Sequence, residues 1–516
     1  MSLSKKISIL TASAVLPAMA SYAKTDKPNI LLIMTDQQSY NTISALKDIY
    51  PGDYFKTPNI DRLVNEGVAF TNAYCTNPVS VPSRFALFTG KYGGQYGVRE
   101  NKCGDAVETE VRPMLEQNGM GNVFARGGYD TYYGGKVHLP YSGDKGKNAF
   151  QAPTSYGFEN YYTSDERDAL GLEAGKLIDR LAKEKPEKPA LIVASFLNPH
   201  DICLESSTGL SPVVEDKGGR KQVITECVRA MRDRAAAIDS ADFYANHVPE
   251  LPFNFDRTRD FPKYKKAPYK EFPEYYWKKY RWTYGQLVEL VDSHIGHILD
   301  ALDRNPEMKE NTIVVFTSDH GEMQGAHQMV TKGVPYGECQ RVPWIFAGPG
   351  VTKGRNGSTV CNGSDLLPTL CELAGIEAPE CDGVSIATKV TGKDKKTDTD
   401  RVLYLEGDGF VNVSDGRYKY TLFDSANGAE MLVDLRNDNG ELTNIMAQHP
   451  EIARKLKKAI PQNLYRIQSK YLKKQKEGKV KANDDSQSGK ERKAARKAAK
   501  KEARKAMIKG AKGKDI

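Results

Sequence analysis

The sequence predicts an α/β fold, with a large, mostly parallel sheet flanked by helices and a smaller antiparallel sheet near the C-terminus. Three continuous apolar runs carry the first part of this prediction: NILLIM (29–34), ALIVASFL (190–197) and TIVVF (312–316). Continuous runs of this kind, unlike alternating ones, indicate parallel strands that are buried on both faces. Helical patterns lie between the runs, and strands that alternate with helices are typical of α/β proteins.

Two helices between these runs are predicted from their ends and their periodicity. The first begins at Thr57-Pro58 and ends at Gly67, because Pro is favoured in the first helical turn and Gly just past the last one. The second covers residues 284–302, where apolar residues recur at helical spacing. Ligands of such folds bind at the carboxyl ends of the parallel strands. Asp36, His200 and Asp319 stand at those ends.

The pattern changes after residue 385, where short strands replace long apolar runs. Four strands are predicted at 402–405, 410–413, 418–422 and 431–435, with turns at Asp415-Gly416 and Asn427-Gly428. A helix follows from about Pro450. We therefore divide the chain into a catalytic α/β domain (24–385), an antiparallel-sheet subdomain with a helix (386–468) and a basic tail (469–516).

Composition and charge set the broad class of the protein. Of the 516 residues 39% are hydrophobic and 27% are charged, which is typical of a soluble globular protein and excludes wholesale disorder or a multi-span membrane protein. The net charge of +8 arises in the tail, because residues 470–516 hold eighteen Lys/Arg and six Asp/Glu. The rest of the chain is mildly acidic, so its charge gives no argument for nucleic-acid binding. The tail itself is either a flexible solvated segment or one attracted to an anionic polymer or membrane.

The N-terminus predicts export. Lys5 and Lys6 precede an apolar, small-residue stretch (7–20), followed by AMA and SYA as candidate cleavage sites. This pattern is typical of a secretory signal peptide (1–23) and is too short for a spanning helix. No Cys lies near the cleavage region, so we expect a periplasmic or secreted protein without a lipid anchor or a membrane span. The eight cysteines form no CxxC pair, which argues against a zinc ribbon, and their disulfide pairing stays open.

The stretch SVPSRFALFTG (80–90) is the most specific local pattern. Pro82 is predicted as the first residue of a helix that ends near Gly90. Ser80 then lies at the helix N-terminus, where unpaired N–H groups favour an anion, and Arg84 returns to the same place one turn later. This arrangement predicts a site for a tetrahedral oxyanion beside a hydroxyl nucleophile. A capped helix of purely structural function is the alternative.

Two further groups of residues point to the same sheet edge. Asp36-Gln37 and Asp319-His320 end two predicted strands, and their oxygen and nitrogen atoms suit a divalent cation, with Ser80 as a further ligand. The second group supplies cationic and proton-transfer side chains. Lys136 and His138 are expected on one side of an extended segment. His200 ends the middle strand, and Lys332 follows the last one.

Together these residues resemble the type I, formylglycine-dependent sulfatases of the alkaline-phosphatase superfamily, in the serine-type form found in bacterial carbohydrate sulfatases. The family signature is Cys or Ser, then x-Pro-Ser-Arg, with Thr-Gly a short helix later. The resemblance covers about residues 28–445, through NILLIMTDQQ, GGKVHLP, SFLNPHD, TSDHGE and GRYKYTLF. It implies a sulfatase that hydrolyses a sulfate ester, with an alkaline-phosphatase-like fold.

The resemblance also implies how the nucleophile is made. Ser80 is oxidised after synthesis to formylglycine, which for a serine signature requires an oxygen-independent, anaerobic-type maturase as a partner. The hydrated aldehyde carries two hydroxyls: one attacks sulfur, and the other, once deprotonated, expels sulfate. A plain serine would be left as a stable sulfate ester.

The remaining roles follow from the same resemblance. One calcium ion is held by Asp36, Gln37, Asp319 and His320 with the modified Ser80. Arg84 holds the hydrated aldehyde, while Lys136 and Lys332 bind sulfate oxygens. His138 assists the gem-diol, and His200, with Lys332, protonates the leaving oxygen. Gln37 in place of a second Asp, and His320 in place of Asn, lower the negative charge of the expected metal site.

Several alternatives stay open at the level of sequence. A phosphodiesterase or phosphonate hydrolase of the same superfamily is one, although a two-metal phosphatase needs a second ligand cluster and only His327 stands unassigned near TSDHGE. A non-catalytic sulfate-binding protein is another. A sulfated carbohydrate (glycosaminoglycan, mucin or algal glycan) is the expected substrate, with an aryl or choline sulfate as the alternative. Four aromatic residues suggest either a sugar platform or core packing: Tyr275, Tyr276, Trp277 and Trp282.

Overall fold

The structure is a computed structural model of the chain. It describes residues 27–50, 55–102, 108–141, 153–208, 213–215, 221–223, 225–256, 270–394, 396, 401–423 and 428–461. The predicted signal peptide, the basic tail and Asn427 of the second predicted turn lie outside the described residues. All ten candidate site residues are described.

The strands of the described chain form one large sheet and three smaller ones. The large sheet has eight strands in the order β11-β2-β10-β9-β1-β6-β4-β5. The strands are β1 Asn29–Asp36, β2 Val68–Phe70, β3 Ala73–Tyr74, β4 Asp130–Gly135, β5 Asn160–Thr163, β6 Ala190–Pro199, β7 Val213–Glu215, β8 Lys221–Val223, β9 Thr312–Ser318, β10 Trp344–Ala347, β11 Gly354–Asn356, β12 Cys361–Asn362, β13 Leu403–Gly407, β14 Phe410–Ser414, β15 Tyr418–Phe423 and β16 Ala429–Asp434.

Helices cover both faces of the large sheet. They are α1 Pro58–Glu66, α2 Ser80–Thr89, α3 Glu108–Asn118, α4 Met120–Arg126, α5 Leu170–Glu184, α6 Ile202–Thr208, α7 Glu226–Ala236, α8 Ser240–Asp242, α9 Glu274–Arg304, α10 Pro306–Lys309, α11 Gly337–Gln340, α12 Leu366–Leu373, α13 Ala387–Val390 and α14 Pro450–Lys458. The predicted fold class is therefore confirmed.

The three apolar runs are the centre of the sheet. β1 pairs in parallel with β6 on one side and with β9 on the other, so that Ile30 lies between Leu191 and Ile313. The observed strands extend past the apolar runs, to Asp36, Pro199 and Ser318. Because all three run in the same direction, the polar residues at their carboxyl ends meet at one edge of the sheet.

β1 separates two hydrophobic layers because successive side chains of a strand point to opposite faces. Ile30, Leu32 and Met34 pack into the layer that includes residues of α2, α3, α4 and α12. Leu31 and Ile33 pack into the opposite layer, with residues of α1, α5 and α9. All eight residues of β1 are buried. The strand that carries Asp36 to the site is therefore fixed from both sides.

Two helices begin earlier than the sequence predicts. α2 begins at Ser80, so Pro82 is its third residue rather than its first. Proline is tolerated there because the first-turn N–H groups have no intrahelical partner. The helix ends as predicted at Gly90, whose φ of 68° is in the left-handed region that glycine adopts readily. α9 begins ten residues before the predicted start, at Glu274.

Two of the four aromatic residues suggested as a sugar platform are buried in the first turns of α9, so that hypothesis is wrong for them. Tyr276 and Trp277 retain only 2% and 1% of their surface and belong to a hydrophobic cluster with Tyr280 and Tyr284. They are core residues. Trp282 packs edge-to-face on Phe243, whereas Tyr275 is exposed.

The C-terminal strands β13 to β16 form an antiparallel sheet in sequential order. The predicted turn at Asp415-Gly416 joins β14 to β15, with Gly416 at a φ of 87°. α14 packs Leu456 into the hydrophobic cluster of this sheet. The seven described cysteines are free thiols. None of the helices in the described part of the chain has both the length and the apolar character that crossing a membrane requires.

The central position of β1 predicts that the stability of the large sheet is most sensitive to substitutions in this strand. Ile33→Ala removes a fully buried side chain and leaves a cavity, so we expect the free energy of unfolding to fall by about 2–5 kcal/mol. Ile49, which is 37% exposed, provides the matched control, and Ile49→Ala should change the free energy of unfolding by no more than about 0.5 kcal/mol. Urea unfolding of both variants measures the difference; equal losses would contradict the central role of β1.

Candidate active site

Arg84 organises the carboxyl edge of the large sheet. Its Nε donates to Asp319 Oδ2 (2.9 Å) and its second terminal nitrogen donates to Asp36 Oδ2 (3.1 Å). The remaining terminal nitrogen donates to Ser195 Oγ (2.8 Å) and to the Lys136 carbonyl (3.2 Å). All three charged side chains are fully buried. The planar guanidinium is suited to this task, because its donors are fixed in one fork.

The two carboxylates have different environments. Burial raises the pKa of Asp36, but Lys136, whose Nζ lies 2.6 Å from Oδ2, His200, Lys332 and Arg84 together hold it well below its usual range. Burial, and then the neighbouring Asp36 charge, raise the pKa of Asp319. Asp319 Oδ1 accepts from the backbone N–H groups of Gln37 (3.0 Å) and His320 (2.9 Å). The second carboxylate is thus fixed by the loops that follow both strands.

Ser80 occupies the N-terminus of α2 and faces His320. Its Oγ lies 3.0 Å from His320 Nε2, while His320 Nδ1 lies 2.9 Å from the Gly321 carbonyl. A carbonyl only accepts, so Nδ1 carries the proton. Burial, and then Lys332, lower the pKa of His320, which keeps the ring neutral. Nε2 therefore has a free lone pair directed at the Ser80 hydroxyl.

Gln37 joins the metal-ligand candidates to Lys332. Its backbone has a φ of 71°, a strained conformation for a residue with a side chain. Its Oε1 accepts from Lys332 Nζ (2.5 Å) and from Cys203 Sγ (3.2 Å), and its Nε2 donates to Glu322. Lys332 Nζ also lies 3.8 Å from Asp36 Oδ1. The lysine therefore bridges the last residue of β1 and the residue that follows it.

Two histidines complete the site. Lys136 directly follows β4, but His138 has a φ of 46°, so the backbone departs there from the extended conformation that we expected. Burial, and then Lys136, lower the pKa of His138 to about 3. His200 Nε2 lies 3.9 Å from Asp36 Oδ1, and 28% of the His200 side chain is accessible. Burial, and then Lys332, lower its pKa as well. Both rings are neutral near pH 7.

The residues fit a divalent cation. Within the described part of the chain, ligand atoms of Asp36, Asp319 and His320 lie within 4.8 Å of one another. Asp36 Oδ1 is buried and has no hydrogen-bond partner among the described residues. A buried carboxylate oxygen without a partner is costly, and a cation that it coordinates would remove that cost. The neutral His320 Nε2 offers a nitrogen ligand at the same place.

The structure thus brings all ten sequence-predicted residues to one edge of the sheet, and it adds others that sequence reasoning missed. Ser195, a single hydroxyl within the apolar run of β6, accepts from Arg84. Glu322, the last residue of TSDHGE, accepts from Gln37 Nε2. Tyr280 and Tyr284 reach Glu322 and the Gln37 carbonyl from α9. A lone Ser in an apolar strand and two Tyr four residues apart are the signals that could have identified them.

Fold and site together define an enzyme class: a protein of alkaline-phosphatase-like architecture that holds an anionic ester at the carboxyl edge of its sheet. Residues 28–376 match the Sulfatase family model, and residues 325–470 match the model described as N-sulphoglucosamine sulphohydrolase, C-terminal. The chain therefore belongs to the sulfatase family and is a sulfuric ester hydrolase. This confirms the resemblance seen in the motifs.

Individual relatives agree with the family match. A Delta 4,5-hexuronate-2-O-sulfatase of Bacteroides thetaiotaomicron is 30% identical over 458 residues, which are 83% of this chain and 86% of that protein. An N-acetylglucosamine-6-O-sulfatase of the same organism is 26% identical over 400 residues, 69% of each chain. The solved structure of a 2-O GAG sulfatase superposes with a TM-score of 0.65 at 27% identity, covering 86% of this chain and 94% of that one.

The fork geometry of Arg84 predicts that a lysine cannot replace it. Arg84→Lys keeps the charge but cannot donate to Asp36, Asp319 and Ser195 together, so we expect kcat/KM for sulfate release to fall by about 100-fold or more. Arg62→Lys is the matched control, because Arg62 pairs with Asp300 and Asp303 at the surface. Its kcat/KM should remain that of the wild type. Full activity of Arg84→Lys would show that charge alone is sufficient.

The neutral His138 predicts a pH effect on stability. Its pKa of about 3 in the folded protein lies below the unfolded value, so the unfolded chain binds the extra proton between pH 6.5 and 3. This histidine therefore lowers stability as the pH falls through that range. The melting temperature of His138→Gln should drop less between pH 7 and pH 5 than that of the wild type. His449→Gln, at an exposed position, should keep the wild-type drop; the same behaviour in His138→Gln would refute the assignment.

Proposed function

We propose that this protein is a periplasmic or secreted carbohydrate sulfatase that uses formylglycine made from Ser80 and one calcium ion. The observation that carries the proposal is the Asp36–Arg84–Asp319 cluster, which faces Ser80 at the N-terminus of a helix. The relatives support the carbohydrate substrate, because their names specify hexuronate and N-acetylglucosamine sulfates. The signal-peptide pattern supports export.

Formylglycine supplies a hydrated aldehyde with two hydroxyls, one to attack sulfur and one whose deprotonation releases sulfate. A maturase of the oxygen-independent class would remove two hydrogens from Ser80 to make it. The position of Ser80 supports this role, because the positive end of α2 stabilises negative charge on an oxygen there. Arg84 is placed one turn later and orients the same region.

Calcium would be held by Asp36, Gln37, Asp319 and His320, with the modified Ser80, and it would supply positive charge beside the nucleophile. Four of these five ligands are oxygens of the kind that calcium prefers, whereas His320 contributes a nitrogen. The unpartnered Asp36 Oδ1 supports the assignment.

Lys136 and Lys332 would bind the sulfate oxygens. The Lys136 ammonium lies 2.6 Å from Asp36 Oδ2, and the Lys332 ammonium lies 3.8 Å from Asp36 Oδ1. Both positive charges are therefore already directed at the same carboxylate. Preorganised charges of this kind stabilise the negative charge of the transition state more than water does. His138, which is neutral, would accept a proton from the nucleophile.

The leaving oxygen of the sugar would take its proton from His200 with Lys332. Burial, and then Lys332 and Lys136, lower the pKa of His200 in the absence of substrate. A bound sulfate ester brings negative charge beside those lysines, which raises the pKa of His200 again. The proton donor would therefore be charged most readily when substrate is present.

The test combines peptide mass spectrometry with sulfate release. Protein co-expressed with a serine-type maturase should show loss of two hydrogens at Ser80, and it should release sulfate from a sulfated mono- or disaccharide. Ser80→Ala should abolish release, while Ser358→Ala, at an exposed serine, should not. Calcium removal by a chelator should lower the rate, and added calcium should restore it.

The substrate panel includes an aryl sulfate, choline sulfate and a phosphate diester. Faster turnover of the diester than of every sulfate ester would contradict the proposed substrate class. An unmodified Ser80 in an active protein would overturn the formylglycine mechanism. Preference for the aryl or choline ester would replace the carbohydrate assignment but keep the sulfatase.

A further inference from the structure

Glu322 is a buried carboxylate that none of the proposed catalytic steps uses. It lies three residues after Asp319, in the loop between β9 and Lys332, and its side chain collects four donors. Oε2 accepts from Gln37 Nε2, and Oε1 accepts from the Tyr280 hydroxyl (2.8 Å) and from the backbone N–H of Thr331 (2.5 Å). A longer bond comes from the Gln324 N–H (3.4 Å).

We infer that Glu322 is a positioning residue that fixes the orientation of the Gln37 amide and the place of Lys332 at the same time. This inference rests on the proposed calcium site. An amide presents an oxygen on one side and an NH2 group on the other, and the two are nearly equal in shape. Only the hydrogen-bond partners decide which of them faces the cation.

Four donors surround the two oxygens of Glu322, which therefore act as acceptors and bind the NH2 side of Gln37. Gln37 Oε1 must then face the opposite side, where it lies 2.5 Å from Lys332 Nζ. That is the side of Asp36, because the same Nζ lies 3.8 Å from Asp36 Oδ1. Glu322 thereby makes Gln37 an oxygen ligand. A flipped amide would direct two donors at a cation.

The second contact acts on the lysine. Glu322 Oε1 holds the N–H of Thr331, the residue directly before Lys332. The backbone N–H of Met323 also donates to the Thr331 carbonyl (2.9 Å). Both the N–H and the carbonyl of Thr331 are therefore held by hydrogen bonds. One carboxylate therefore determines where both Gln37 Oε1 and the Lys332 ammonium lie.

Two tyrosine hydroxyls of α9 stabilise this arrangement through hydrogen bonds. Tyr280 and Tyr284 are one turn apart on the same face of the helix. Tyr280 donates to Glu322, and Tyr284 donates to the Gln37 carbonyl (2.7 Å) and accepts from the Ser39 N–H (3.0 Å). Because the left-handed backbone of Gln37 is strained, such support is needed to keep it in place.

The test is a charge swap across the Glu322–Gln37 contact. Glu322→Gln directs an NH2 group at Gln37, which then turns its own NH2 toward the cation. Gln37→Glu places two carboxylates in contact. The double variant Gln37→Glu with Glu322→Gln restores one donor facing one acceptor and again directs an oxygen at the cation. Glu338→Gln is the matched control, since Glu338 accepts from Asn254 and does not contact Gln37.

Calcium binding is measured by titration calorimetry on protein made without a maturase, so that the result depends on neither formylglycine nor activity. We expect each single variant to bind calcium about 10- to 100-fold more weakly, as is usual when a partner of a metal ligand is lost. The double variant should bind at least tenfold more tightly than either single variant. Glu338→Gln should match the wild type, and melting temperatures report on folding.

Wild-type affinity in Glu322→Gln, or a double variant no better than the single ones, would overturn the inference. If the wild type binds no calcium either without or with the maturase, the proposed metal site fails on its own. In that case the inference is tested through the position of Lys332, by measuring the kinetics of sulfate release by the matured proteins. Glu322→Gln should raise KM for the sulfate ester about tenfold or more, and an unchanged KM would reject it.

Discussion

The sharing of Arg84 by two buried carboxylates is the interaction on which the rest of the structure depends. Burying one ion without a partner costs several kcal/mol, and removing one partner of a buried pair costs about 3–5 kcal/mol. Asp36 and Asp319 end neighbouring strands, so their charges are forced together by the parallel pairing of β1 and β9. Arg84 comes from α2, one turn after the first residue of that helix. The sheet register, the start of α2 and the site therefore constrain one another.

The cationic groups around this cluster have a second consequence. The ammonium groups of Lys136 and Lys332 lie beside the Asp36 carboxylate. Burial, and after it the nearby positive charges, lower the pKa of His138 and of His200. The site thus holds neutral imidazoles among positive side chains, which favours an anionic ligand and leaves the rings free to accept or relay protons. A calcium ion at Asp36 would compete with the lysines for the carboxylate. The lysines would then be available for the sulfate group.

Most of the central fold could be predicted from sequence because its signals are local. The runs that became β1, β6 and β9 are continuous and β-branched, and their shared direction follows from the α/β pattern. The ten polar residues could be predicted to converge because Ser80 and Arg84 belong to the start of α2 and the others lie at or after the ends of strands. The aromatic segment of α9 was ambiguous, since a buried and an exposed helix face contain the same residue types. Only packing showed that Tyr276 and Trp277 are core residues.

The residues that sequence reasoning missed act through contacts that no local pattern encodes. Glu322 meets Gln37 across 285 positions of the chain, and Tyr284 meets it across 247. Such contacts depend on how α9 packs against the loop after β9, which is a property of the tertiary structure. At the proposed metal site, they would also allow a glutamine to serve as an oxygen ligand. Its amide has no fixed orientation of its own, and a buried acceptor behind it supplies one.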